Sequence, residues 1–196
     1  MSARGTRLLL SAGLVALPAL TLADPPDFSG AWRLDPKRSD DARSRIEAVA
    51  GSEQVKGGGA SGLTILPESN TRSEVERVEL RKQMLDAVAQ LERLEIHQGS
   101  SEIKLYQGEE GLRIFYFDRE HVRESAQGQK LKCRTRWQGE QLVLEEEGEK
   151  GLRLVEVLTL LPSRRELIHA VRFESSLLKD PLNLRLMYRR EASSPR

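Results

Sequence analysis

Cysteine is nearly absent from this chain: Cys133 stands alone, so no internal disulfide can staple the fold. Histidine is scarce too. His97, His121 and His169 are widely spread and show none of the short spacings typical of metal ligands, so neither a metal nor another cofactor is expected. An excess of one charge is missing. Lys and Arg total 31 against 30 Asp and Glu, whereas a general nucleic-acid binder carries a basic surplus, and no nucleic-acid partner is expected. After residue 23 no apolar run is long enough to cross a bilayer as a helix. A nucleophile-elbow pattern for Ser/His/Asp hydrolysis is absent from the sequence as well. Nothing fixes a distance between Cys133 and His169, so no catalytic residue is assigned.

The first 23 residues, MSARGTRLLLSAGLVALPALTLA, differ from the rest. Arg4 and Arg7 make a positive start. Residues 8–20 are apolar except for breaks at Ser11, Gly13 and Pro18, and Thr21 and Ala23 are small residues before Asp24. This pattern predicts a secretory signal peptide cut after Ala23, and hence a periplasmic or secreted protein. The run falls short of the ~20 residues a spanning helix needs. Loss of Arg4 and Arg7 leaves 29 basic side chains against 30 acidic ones. Residues 24–196 are enough for one domain with its own core.

That domain divides in three. FSGAWRL, residues 28–34, reads as a strand. Residues 37–91 are charged and interrupted, and form an insertion. Asp40 or Asp41 caps a short helix ending near Ala50, on a thin stripe of Ile46 and Val49. A Gly-rich loop, VKGGGASG, follows at 55–62. A second helix is expected over 73–91, with Ser73 and Glu76 as a capping box and Leu80, Met84, Ala87 or Val88, and Leu91 at helical spacing.

From residue 92 the period falls to two. RLEIHQ, EIKLYQ, KLKCRTRW, QLVLEEE, LRLVEVLTLL, RELIHAVRFES and LNLRLMYRR alternate across short, turn-rich links. LRIFYFD, 112–118, is apolar on both faces, and a short strand is expected at 121–125. Consecutive strands so linked pair antiparallel, which gives ten strands counting the first. A long, twisted, one-sided sheet tends to curl and close. The expected fold is therefore mainly β, an antiparallel up-and-down barrel of eight to ten strands, with a helical insertion between the first and second.

Gly30 and Trp32 carry a resemblance. Phe28-Ser29-Gly30-Ala31-Trp32 resembles the opening G-x-W strand of the calycins, the group of lipocalins and intracellular fatty-acid-binding proteins. The Gly permits a tight approach at the barrel floor, and the Trp plugs it. The resemblance implies a basic residue of the last strand stacked on that ring, Arg189 or Arg190, adding ~0.5–1 kcal/mol. The fatty-acid-binding group also has ten strands and helices between the first two. Its Arg-x-Tyr carboxylate clamp does not carry over, because Tyr188 precedes Arg190 here. The layout also resembles a set of bacterial secreted proteins with no established activity to borrow.

A barrel of this size either fills its interior or holds one small ligand, and both readings stand at this point. The inward residues are mostly aliphatic, with few aromatics. Among them, Thr135, Leu144, Glu156, His169 and Tyr188 are the candidate ligand contacts, Glu156 and His169 orienting a polar head or simply satisfying one another. The expected function is non-catalytic binding of a small apolar or amphipathic molecule, such as a fatty acid or lipid fragment. The alternative is a filled barrel that contacts an envelope protein. The outward stripe of Lys130, Lys132, Arg134 and Arg136 faces Glu145, Glu147 and Glu149 on the next strand. Cross-strand pairing accounts for it, with weak contact to a membrane surface as the other reading.

Overall fold

The structure, a computed structural model, describes residues 25–50, 68–108, 111–125, 128–149 and 151–192, with side chains in the second helix from Glu74 onward. The predicted signal peptide and the Gly-rich stretch 55–62 lie outside the described residues. Strand β1 (Gly30–Leu34) is followed by helices α1 (Ala42–Ala50) and α2 (Glu68–Ala89). Then come β2 (Arg93–Gln98), β3 (Glu102–Gln107), β4 (Gly111–Tyr116), β5 (His121–Glu124) and β6 (Lys130–Gln138). The last four are β7 (Gln141–Glu147), β8 (Arg153–Leu160), β9 (Glu166–Glu174) and β10 (Leu182–Arg190).

All ten strands form one sheet in the order β4-β3-β2-β1-β10-β9-β8-β7-β6-β5. Each ladder is antiparallel, and β1 closes the curl by pairing with β2 on one side and β10 on the other. The barrel is nearly closed. One seam remains between β4 and β5, neighbours in sequence that share no ladder. The rings of Tyr116 and His121 meet edge-on there, with centroids 4.9 Å apart.

Trp32 is fully buried, opposite Arg190 on one side and Leu94 on the other. Its indole N–H donates to the Phe28 carbonyl at 3.0 Å. The Arg190 guanidinium lies 4.4 Å from the Trp32 ring centroid and donates to the Ser29 carbonyl at 2.6 Å. Gly30 has φ +138°, and a Cβ there would come within 2.9 Å of Arg190 Nη1. Only glycine satisfies both the backbone angle and that approach. Arg189 points elsewhere, pairing its Nη2 with Asp35 Oδ2 at 2.7 Å.

After Leu34 the chain does not leave the sheet at once. Asp35 N donates to the Met187 carbonyl at 2.7 Å, and Asp40 N to the Arg185 carbonyl at 2.9 Å. Ser39 Oγ accepts from Met187 N at 2.9 Å. This strap covers the outer side of β10 and buries Met187. Asp41 is the cap of α1, its Oδ1 accepting from Ser44 N at 3.1 Å. Ala42 and Ile46 are its buried positions.

The helix start expected at Ser73 is overtaken: α2 begins five residues earlier, at Glu68, so Ser73 and Glu76 lie within it. A helix-start signal in sequence is local, and here the helix continues through it. The expected apolar stripe is present: Leu80 and Met84 are buried, with Val88 and Leu91 packed at its edge.

Candidate functional site

The inward side chains are stacked in layers, and the layers differ. Nearest Trp32 stand Leu94, Ile96, Ile103, Leu105, Phe115, Leu142, Leu144 and Leu158, all essentially without solvent exposure. This end is filled. One register step toward the helices, the filling stops. Leu186, His169, Glu156, Glu146 and Leu131 border a cavity of about 340 Å³. Tyr188, Leu167, Leu158, Leu144 and Cys133, each two residues away on the same strands, do not. The barrel is therefore filled at one end and hollow at the other.

The cavity has two unlike walls. Ile46 of α1 and Leu80, Met84, Ala87 and Val88 of α2 cover it, and Val171, Phe173, Leu182 and Leu184 continue that apolar surface on β9 and β10. Across from them stand Gln107, Arg113, Arg123, Gln129, Glu146 and Glu156.

The charged groups of the polar wall form one connected chain. Arg113 grips Glu156 with both terminal nitrogens, at 2.5 and 2.9 Å, and donates to Gln107 Oε1 at 3.0 Å. Arg123 grips Glu146 through Nε and Nη2, at 3.0 and 2.6 Å. Arg113 Nη1 lies 3.6 Å from Glu146 Oε1, which links the two pairs. His169 Nε2 completes the chain, 2.8 Å from Glu156 Oε1. An ionised carboxylate accepts only, so the ring nitrogen donates. The Glu146 and Glu156 side chains are 3 % and 4 % exposed.

Burial alone disfavours charge on Glu156, but the adjacent Arg113 and the hydrogen bond from His169 outweigh it and hold the carboxyl well below its usual range. Burial likewise opposes the Arg113 charge, and Glu156 and Glu146 together overcome it, so its pKa rises. Burial, reinforced by Glu146, pushes the Cys133 thiol up to about 11. The Tyr188 phenol is raised for the same first reason, with the Glu156 charge second.

Of the five candidate contacts, Glu156 and His169 border the cavity together. Leu144 and Tyr188 lie in the filled layer, where the Tyr188 hydroxyl donates to the Leu91 carbonyl at 2.9 Å. Thr135 borders a separate, charged depression beside Arg134, Arg136 and Glu145. Sequence reasoning missed Arg113, Arg123 and Glu146, the partners that make Glu156 tolerable inside. Of the outward stripe, Arg136 makes the expected cross-strand pair with Glu145 at 3.1 Å, whereas Lys132 and Arg134 meet Glu120, in the link before β5, at 2.7 and 2.5 Å. Among the described residues no group of three or more His, Cys, Asp or Glu is placed to hold a metal ion, and no helix is long and apolar enough to cross a membrane.

No protein-family model matches the chain, and no curated protein matches it by sequence. Solved structures do match in fold. The fatty acid transporter REP1-NXSQ is 15 % identical with a TM-score of 0.50, over 85 % of this chain and 97 % of its own. Caenorhabditis elegans lipid binding protein 8 is 14 % identical with a TM-score of 0.52, over 84 % of this chain and 95 % of its own. Human cRBP IV is 15 % identical with a TM-score of 0.51, over 85 % of this chain and all of its own. At such identities the likeness concerns architecture, and on architecture the chain has a calycin-like fold.

Proposed function

We propose that the protein is an exported, non-catalytic carrier of a small apolar or amphipathic molecule of lipid-fragment size, held between α2 and the hollow end of the barrel. The observation that carries this reading is the cavity itself, about 340 Å³ with one apolar wall, within the ~300–1,000 Å³ range of small-molecule sites. The fold supports it, since structures of the same architecture are named for fatty acid transport and lipid binding. The hollow end counts against the filled-barrel alternative. Export rests on the signal-like pattern of residues 1–23.

Native mass spectrometry of the mature protein, before and after delipidation, tests the carrier reading. A bound small molecule that is lost on delipidation and regained on incubation with medium-chain lipids is the expected result. Repeated failure to find any bound or exchangeable molecule overturns it. N-terminal sequencing of protein recovered from the cell envelope or medium tests export, with Asp24 expected as the first residue.

A further inference from the structure

The carrier reading leaves open the chemistry of the ligand's polar end, and the internal charges bear on it. The polar wall brings two guanidiniums and two carboxylates into the cavity, and they are matched one to one: Arg113 on Glu156 and Arg123 on Glu146. Among the described residues that border the cavity, no Lys or Arg is left over to meet an incoming anion. A ligand carboxylate would make three negative charges against two positive ones, in a place where both protein carboxylates are almost wholly buried. It would have to displace Glu146 or Glu156 and strand that charge, or enter protonated. A ligand ammonium faces the mirror problem. A hydroxyl, ester or amide adds no charge, and the cavity offers uncharged polar side chains in Gln83, Gln90, Gln107 and Gln129.

We infer that the cavity selects an amphiphile with an uncharged polar head, of the fatty alcohol or ester class, over the matching free acid or amine. The volume sets the size. Space for on the order of ten water-sized groups fits one short aliphatic chain.

This inference rests on the carrier reading, and one experiment separates the two. Delipidated mature protein is titrated calorimetrically at neutral pH with n-decanol, decanoate and decyltrimethylammonium. Decanol is expected to bind about tenfold or more tightly than either ion, a difference of about 1.4 kcal/mol. Glu146→Gln keeps the shape and releases Arg123, so it should raise decanoate affinity relative to that for decanol by roughly tenfold. Glu156→Gln serves the same purpose through Arg113 if the first variant does not fold, and the comparison in the unaltered protein decides the matter by itself. Decanoate binding as tightly as decanol overturns the selectivity and leaves the carrier reading standing. Failure of all three to bind overturns both.

Discussion

Replacing Arg113 with Met tests whether the internal ion pairs hold the barrel together. The Arg113 side chain is 13 % exposed and Glu156 4 %, so the pair lies mostly outside the screening that weakens surface bridges. Arg113→Met fills similar space but leaves Glu156 with His169 as its hydrogen-bond partner. Removing one member of a buried pair costs about 3–5 kcal/mol, and the surviving His169 bond places this case near the lower figure. For a domain of this size, about 3 kcal/mol lowers the melting temperature by roughly 6–12 °C. Urea unfolding followed by the fluorescence of Trp32 and Trp137 measures the loss. Adding Glu156→Leu removes the stranded charge, so the double variant should be more stable than Arg113→Met alone, short of full recovery by about 1–3 kcal/mol for the unpaired His169 nitrogen. Hydrogen exchange should locate the weakening in Gly111–Tyr116 first, since β4 pairs with β3 alone. A loss below about 1 kcal/mol for Arg113→Met, or a double variant less stable than the single one, refutes the reasoning.

Three further outcomes are expected. Gly30→Ala forces a side chain onto a backbone at φ +138° and into Arg190; the same urea assay should show about 1–3 kcal/mol of lost stability, and an unchanged midpoint would mean the close approach is unimportant. The Glu156 carboxyl is depressed in the folded state, so its contribution is full above the unfolded carboxylate value of about 4.3 and drains away as pH falls below it toward the folded value. Urea midpoints measured from neutral to acid pH should fall on that acid flank, and the fall should be shallower in Glu156→Gln. Cys133 is buried, with its thiol pushed up to about 11, so a thiol-reactive dye at mildly alkaline pH should label it only after denaturant is added; rapid labelling of the native protein would contradict the packing around Glu146 and Leu131.

Much of this architecture could be read from period alone. Leu94, Ile96, Ile103 and Leu105 fall inside as alternation requires, and the distant first strand pairs with the last because Trp32 needs a closed end to plug. The polar wall escaped notice for a physical reason. In LRIFYFD every position except Arg113 and Asp118 is apolar, so alternation could not say which face is inside. The answer lay in register: Arg113 stands opposite Leu105, and Arg123 opposite Leu131. Once Glu156 is placed inward, burial demands a cation, and carrying the inward parity through Phe115 to Arg113 supplies one. The seam was equally hidden, since the short link 117–120 is as compatible with a hairpin as with a gap.

The seam and the ion pairs explain each other. β4 and β5 are the two ends of the sheet, and each has hydrogen-bonded neighbours on one side only. Across the missing ladder, the arginine of each strand reaches inward: Arg113 from β4 to Glu156 on β8 and toward Glu146 on β7, Arg123 from β5 to Glu146. These bonds tie both loose strands to the same pair of interior carboxylates. The tie has a cost in space. Long charged side chains that meet in mid-barrel hold the strands around them without filling the room beyond, and the small and medium aliphatics of β8, β9 and β10 at that level do not close it either. A hollow end with one charge-matched wall thus follows from joining an incomplete barrel by side chains rather than by backbone, and the cavity and the closure of the fold depend on the same four residues.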